Sequence, residues 1–222
     1  MNRKSFGVFG VLVLLALVFP PRLRSDTFGI NFNNTTATED LGNPPFTLGW
    51  EFTLSTSIQI NDLAFYDDSQ NGLADSHSMG IWDANGNLLV SGSVLAGTLS
   101  PLIDKWREVA VIPTTLGPGN YFIGALFLDG NDPVWFPNQV LDGFVTAPGV
   151  AYDNATFNSG SALTDPTALD GTPGFFGPNF VEVTTPEPSS ILLLGFGLLS
   201  LGGIIPRRKL ARRVPISASA PR

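Results

Sequence analysis

The 222-residue chain contains no cysteine and a single histidine, His77. Disulfide and thiolate chemistry are closed to it, and any folded part must be held by its own apolar core. Metal centres made of several histidines or cysteines are excluded on the same ground. Positive charge is scarce in the middle: all 19 acidic residues lie between Asp26 and Glu187, where the only basic residues are Lys105 and Arg107. That stretch carries −17, although the whole chain is at −7. Such a field repels nucleic acid and anionic lipid and favours divalent cations or basic surfaces. The middle also lacks an amphipathic helical stripe, a phosphate-cradling glycine loop ahead of a helix, and any Gly-x-Ser-x-Gly.

What is present is clearest at the two ends. Arg3 and Lys4 precede an unbroken apolar run of 14, Phe6 to Phe19. This is the charged and apolar order of a secretory signal helix, and it is short for a membrane span. Residues 1–25 are read as that signal peptide. The following Pro20-Pro21-Arg22-Leu23-Arg24-Ser25 has no Ala-x-Ala, so the scissile bond falls between roughly 20 and 30, with an uncleaved anchor as the alternative. In either case Arg3 and Lys4 stay inside and the middle goes out.

At the other end, Pro186-Glu187-Pro188 is followed by 17 uncharged residues, Ser189 to Ile205, and then by Arg207, Arg208, Lys209, Arg212 and Arg213. The two prolines hold the chain extended and out of the next helix. Seventeen residues at about 1.5 Å each give a transmembrane helix at the short end of what crosses a bilayer. The basic cluster then holds its side in the cytoplasm. A plain C-terminal anchor would need only the span and the arginines. The order of all three parts resembles the PEP-CTERM sorting signal of Gram-negative, exopolysaccharide-producing bacteria. That resemblance implies a membrane protease of the exosortase type as partner, with Pro186, Glu187, Pro188, Arg207, Arg208 and Lys209 as the sorting and processing residues. Residues 184–213 are assigned to this signal and 214–222 to a tail, which continues where the family usually stops.

Between the ends, residues 26–183 read as one domain, long enough to bury roughly 70% of its unfolded surface. Phe46, Leu48, Trp50, Phe52 and Leu54 alternate with small or polar residues, a period of two. Further short strands fall at Ile58–Ile60, Leu63–Tyr66, Met79–Trp82, Leu88–Val90, Trp106–Ile112 (ended by Pro113), Tyr121–Leu128 and Asn179–Val183. Asn85-Gly86 and Leu116-Gly117-Pro118-Gly119 mark turns. Residues 129–177 are rich in Gly, Pro, Asn and Asp and are expected to hold long loops, with short strands near Phe144 and Val150 to Tyr152. The expected fold is an all-β, antiparallel β-sandwich, Ig-like or jelly-roll. Gly49-Trp50-x-Phe52, Asn71-Gly72-Leu73-Ala74 with His77, Gly80-Ile81-Trp82-Asp83 and Leu116-x-x-Gly119 resemble a bacterial β-sandwich domain of unknown function often found in surface proteins. That family implies fold and setting, and no reaction.

Chemistry in the middle is thin. His77 beside Asp75 or Asp83 lacks a serine in a nucleophile motif, and a lone histidine beside a turn reads as structural. Paired carboxylates stay open among 19 acids, but most of the few glutamates sit on apparent strand surfaces or in the tail. Asp67, Ser69, Asn71 and Asp75 occupy positions 1, 3, 5 and 9 of a calcium loop, with Gly72 at the sixth. Calcium is therefore a candidate cofactor with Asp67, Asn71 and Asp75 as ligands. Ser78 stands where a bidentate glutamate belongs, and the same residues also make ordinary turns. Trp135-Phe136 and Phe175-Phe176 lie in loop-rich sequence, where aromatics either stack on sugar rings or plug the core. Trp135 and Phe136 are the candidate ligand residues; Trp50, Trp82 and Trp106 are expected in the core. The expected function is that of an exported, surface-sorted, non-enzymatic structural or interaction protein of the cell envelope or exopolysaccharide and biofilm matrix. The alternative is a secreted carbohydrate-binding module.

Overall fold

Alternating sequence becomes paired strands throughout the computed structural model, which describes residues 25–33, 38–39, 41–42, 44–136, 143–170 and 173–184. The strands are β1 (Ser25–Phe28), β2 (Ile30–Phe32), β3 (Thr38–Glu39), β4 (Phe46–Leu54), β5 (Ile58–Tyr66), β6 (His77–Asp83), β7 (Leu88–Val94) and β8 (Leu102–Ile103). They continue with β9 (Trp106–Leu116), β10 (Gly119–Phe127), β11 (Val134–Trp135), β12 (Phe144–Thr146), β13 (Val150–Ser159), β14 (Ala168–Leu169) and β15 (Pro178–Thr184). Among the described residues every element is a strand and every pairing is antiparallel. The signal helix, the transmembrane helix and the sorting residues Pro186, Glu187, Pro188, Arg207, Arg208 and Lys209 lie outside the described residues. The chain divides into two units at Thr184, and the second begins at Thr185.

Two sheets carry the fold. One has the order β1-β15-β5-β9-β8 and the other β14-β13-β4-β10-β6-β7, with β11-β3 and β12-β2 as small added ribbons. Their inner faces share one apolar cluster. Trp50 and Phe52 of β4 meet Phe180 of β15 at 5.8 and 5.1 Å between ring centroids. Trp50 Nε1 donates across the layers to the carbonyl of Pro178 at 2.8 Å, so the largest core ring keeps its polar atom satisfied. The all-β expectation stands.

Several local readings are revised by pairing. Asn61-Asp62 does not interrupt β5; it is a β-bulge, where the register slips between Ile60 and Asp62. Pro113 does not end β9, because it lies among residues opposite that bulge, where its missing N–H removes no ladder bond. The loop-rich segment holds a ten-residue strand, β13, paired with nearly all of β4. Trp82 is buried outside the shared core, with its ring against Gly80. Nearby, residues 162–167 run across the face of the sheet that points away from the core. Thr47 Oγ1 donates to the carbonyl of Ala162 at 3.4 Å and accepts from the N–H of Thr164 at 3.1 Å. Pro166 lies over Gly124, where a Cβ would sit 3.0 Å from its ring.

Candidate functional site

The loop after β5 and the loop after β10 meet and enclose a polar cleft of about 510 Å³, lined by Asp68, Ser69, Asn71, Asn131 and Asp132 with Pro133. A buried ion pair and a buried histidine–carboxylate contact fix its walls. Asp67, at the start of the first loop, receives Arg107 Nε at 2.8 Å and the N–H of Gly72 at 2.9 Å on the same oxygen. Arg107 Nη1 donates to the carbonyl of Ser100 at 3.0 Å. Both side chains of the pair are at most 5% exposed, so each needs the other: an unpaired charge at that depth would be far more costly. Gly72 has a φ of +109°, a conformation open to glycine at the tight part of this loop.

Asp132 holds the second wall. Its Oδ1 accepts from the N–H of Ala74 at 2.7 Å, and its Oδ2 accepts from the N–H of Asp75 at 2.8 Å and faces His77 Nε2 at 3.0 Å. Burial raises the Asp132 pKa, but the His77 contact and the two amides outweigh it and leave the carboxyl below its usual range. His77 Nδ1 faces the carbonyl of Leu126 at 3.1 Å, and its ring lies flat on Phe65 at 3.8 Å. Both ring nitrogens are thereby occupied, and the histidine clamps two loops together. On the rim, Asp75 hydrogen-bonds Asp129, which raises the Asp129 pKa, and accepts from Asn131 Nδ2 at 3.0 Å.

The ligands of the calcium reading, Asp67, Asn71 and Asp75, face different surroundings. Asp67 is turned inward to Arg107, whereas Asn71 is exposed on the cleft and Asp75 points to Asp129 and Asn131. The three proposed ligands therefore serve different neighbours. Among the described residues no three His, Cys, Asp or Glu side chains come together in a group suited to a metal ion.

The two candidate aromatics separate. Trp135 is 1% exposed and stacks on Phe32 at 4.1 Å, so it is part of the core and offers no platform for a ligand. Phe136 is half-buried and stacks on Phe175 at 5.0 Å. Phe175 in turn lines a second depression of about 270 Å³ with Phe46, Phe157, Leu41, Gly42 and Asp170. Leu41 of this depression lies against Gly130, the neighbour of Asn131 in the polar cleft: a Cβ added at Gly130 would overlap the carbonyl of Leu41.

Both cleft loops, from Asp67 to Ser76 and from Asp129 to Pro133, fall inside the match to a family model described as Domain of unknown function (DUF4082), which covers residues 33–173. The chain belongs to the DUF4082 family. A second model, the PEP-CTERM protein-sorting motif, matches residues 184–208. That motif implies export across the membrane to the cell surface and recognition by an exosortase, a membrane protease. No curated protein and no solved structure matched the chain. In this DUF4082 chain the two basic residues among the described residues are both spent inside. Arg107 holds Asp67, and Lys105 Nζ donates to Asp104, Asn31 Oδ1 and the carbonyl of Phe32 at 2.7 to 2.8 Å. Asp132, Asn131, Phe157 and Asp170 were not singled out by sequence. Their one signal is the density of Asp and Asn around 129–132, which reads equally as a turn.

Proposed function

We propose that this DUF4082 protein acts at the cell surface by binding rather than by catalysis, as an interaction protein of the envelope or the exopolysaccharide and biofilm matrix. The observation that carries this reading is the position of the cleft. β1 and β15 bring Ser25 opposite Thr184 at one end of the sandwich. β5 starts at that end, pairs through Ile60 with Glu182, and finishes at Tyr66, at the opposite end, where the cleft loop begins. The chain thus leaves the domain toward its sorting motif at one end and presents its open polar surface at the other. The same reading is supported by His77, Arg107 and Lys105, each of which is held in buried contacts rather than offered to a substrate.

The test is made in the native host. Protease added to intact cells should degrade the domain, and a strain lacking the protein should lose matrix material from the cell surface. A domain protected from external protease, or an unchanged matrix, would remove this reading. The second reading, a carbohydrate-binding module, is favoured by the aromatic depression beside the cleft.

A further inference from the structure

We infer that the end of the sandwich remote from Ser25 and Thr184 binds a neutral oligosaccharide across two adjoining subsites. One sugar ring lies on the aromatic depression, and the hydroxyls of the next unit enter the polar cleft. The inference rests on the binding function proposed above and names its ligand.

The two depressions have complementary chemistry, and a sugar has both. A pyranose carries an apolar patch of C–H groups on its ring face and a rim of hydroxyls. Phe46, Phe157 and Phe175 supply half-buried aromatic surface in a space of about 270 Å³. Flat apolar sugar faces suit such rings, which offer large contact area at little entropy cost. Phe175 stacks on Phe136 at 5.0 Å. Its plane is therefore set before a ligand arrives, which lowers the ordering cost of binding. Beyond the Leu41–Gly130 contact, Asp68, Ser69, Asn71 and Asn131 line the polar cleft. Carboxylates accept from hydroxyls, and amides both donate and accept, so vicinal hydroxyls can be matched there in pairs. The walls are rigid because Asp67–Arg107 and His77–Asp132 pin both loops from inside.

Charge selects within the sugars. Lys105 and Arg107 are the only cations among the described residues, and both are buried and paired. The described surface thus offers acids and no free cation to a ligand. A uronate, sulfate or phosphate group would meet like charge with no counter-charge to offset its lost hydration. Neutral sugars carry no such cost.

The experiment uses mature protein recovered from the host surface, titrated calorimetrically with neutral gluco-, manno- and galacto-oligosaccharides and with uronate oligosaccharides of equal length. Wild type should bind at least one neutral series and bind uronates at least tenfold more weakly. Phe175→Leu keeps the apolar volume and removes the ring face; Asn71→Ala removes an exposed amide. Each should weaken binding about tenfold, the usual scale for one good contact. Melting of each variant is measured alongside, and should Phe175→Leu fail to fold, Asn71→Ala decides alone. Binding of no neutral oligosaccharide by wild type would overturn the inference. So would unchanged affinity in a folded variant, or uronate binding as tight as neutral. A negative titration from a protein that still passes the surface-protease and matrix tests overturns this inference and leaves the proposed function standing.

Discussion

Ser25 and Thr184 are register partners, the first and last residues of the paired β1 and β15. The described domain therefore begins and ends at one point of one sheet. β1 is an edge strand covering β15, and its loss would expose an unpaired strand edge. The mature N terminus is accordingly expected at or before Ser25, as read by mass spectrometry of the released protein. A mature chain that starts after Phe28 would show that β1 is dispensable.

The sorting motif follows β15 directly. Replacing Pro186-Glu187-Pro188 with three alanines should leave a membrane-bound precursor in the native host, seen as a larger band in the membrane fraction. Equal release of wild type and variant would mean that these three residues are not what the protease reads.

The Asp67–Arg107 pair predicts a steep loss of stability. Arg107→Met leaves a buried carboxylate without its partner and should cost about 3–5 kcal/mol, a fall in Tm on the order of 10 °C. Because the same carboxylate is needed by Arg107, millimolar calcium should leave the wild-type Tm unchanged. A calcium-dependent rise abolished by Asp67→Ala would mean that the loop rearranges to take the ion.

Glu182 predicts the pH dependence. It is 2% exposed on β15, and burial raises its pKa. A carboxyl whose folded pKa lies above the unfolded value favours the fold fully below that unfolded value, near 4.3, and loses this contribution as pH rises through the folded value. Glu182→Gln should therefore raise Tm at pH 7 and have little effect at pH 4. An equal change at both values would detach the effect from ionisation. Asp132, lowered by its contacts, acts in the opposite sense: its contribution is present above about pH 4 and is lost as the medium is acidified through its folded value.

The strap of residues 162–167 predicts intolerance at Gly124. An alanine there would place Cβ 2.8 Å from Thr47 Cγ2 and 3.0 Å from Pro166, and should cost about 1–3 kcal/mol. Limited proteolysis should then cut near Asp165 sooner than in wild type. Unchanged cutting would mean that the strap adjusts without leaving the sheet.

How much of this was legible depended on distance along the chain. Phe46–Leu54 was read correctly as a strand, because a pleated strand puts every second side chain on one face and leaves that period in the residues themselves. The sorting signal was legible for a similar reason: its prolines, apolar run and basic cluster act in order along one short segment, and the family match at 184–208 agrees. Local sequence failed where a partner strand decided. Pro113 reads as a stop until the register shift between β5 and β9 removes the need for its N–H, and β13 reads as loop until β4 supplies its ladder.

The cleft was legible only as a polar turn. Asp67 could have been a calcium ligand or one half of an ion pair, and the fold chose by bringing Arg107, 40 residues away, to within 2.8 Å. His77 likewise became a clamp because Asp132, 55 residues on, meets its ring. Trp135 became core because Phe32 of β2 lies flat against it, while Phe136, its neighbour, stayed on the rim. By itself the sequence determined the alternating strands such as Phe46–Leu54, the absence of thiol chemistry, the acidity of the domain and its sorting signal, all of which are properties of local order or composition. Tertiary structure decided which acids are buried, which aromatics face outward and where the depressions lie, because burial and pairing arise only when distant segments exclude water together.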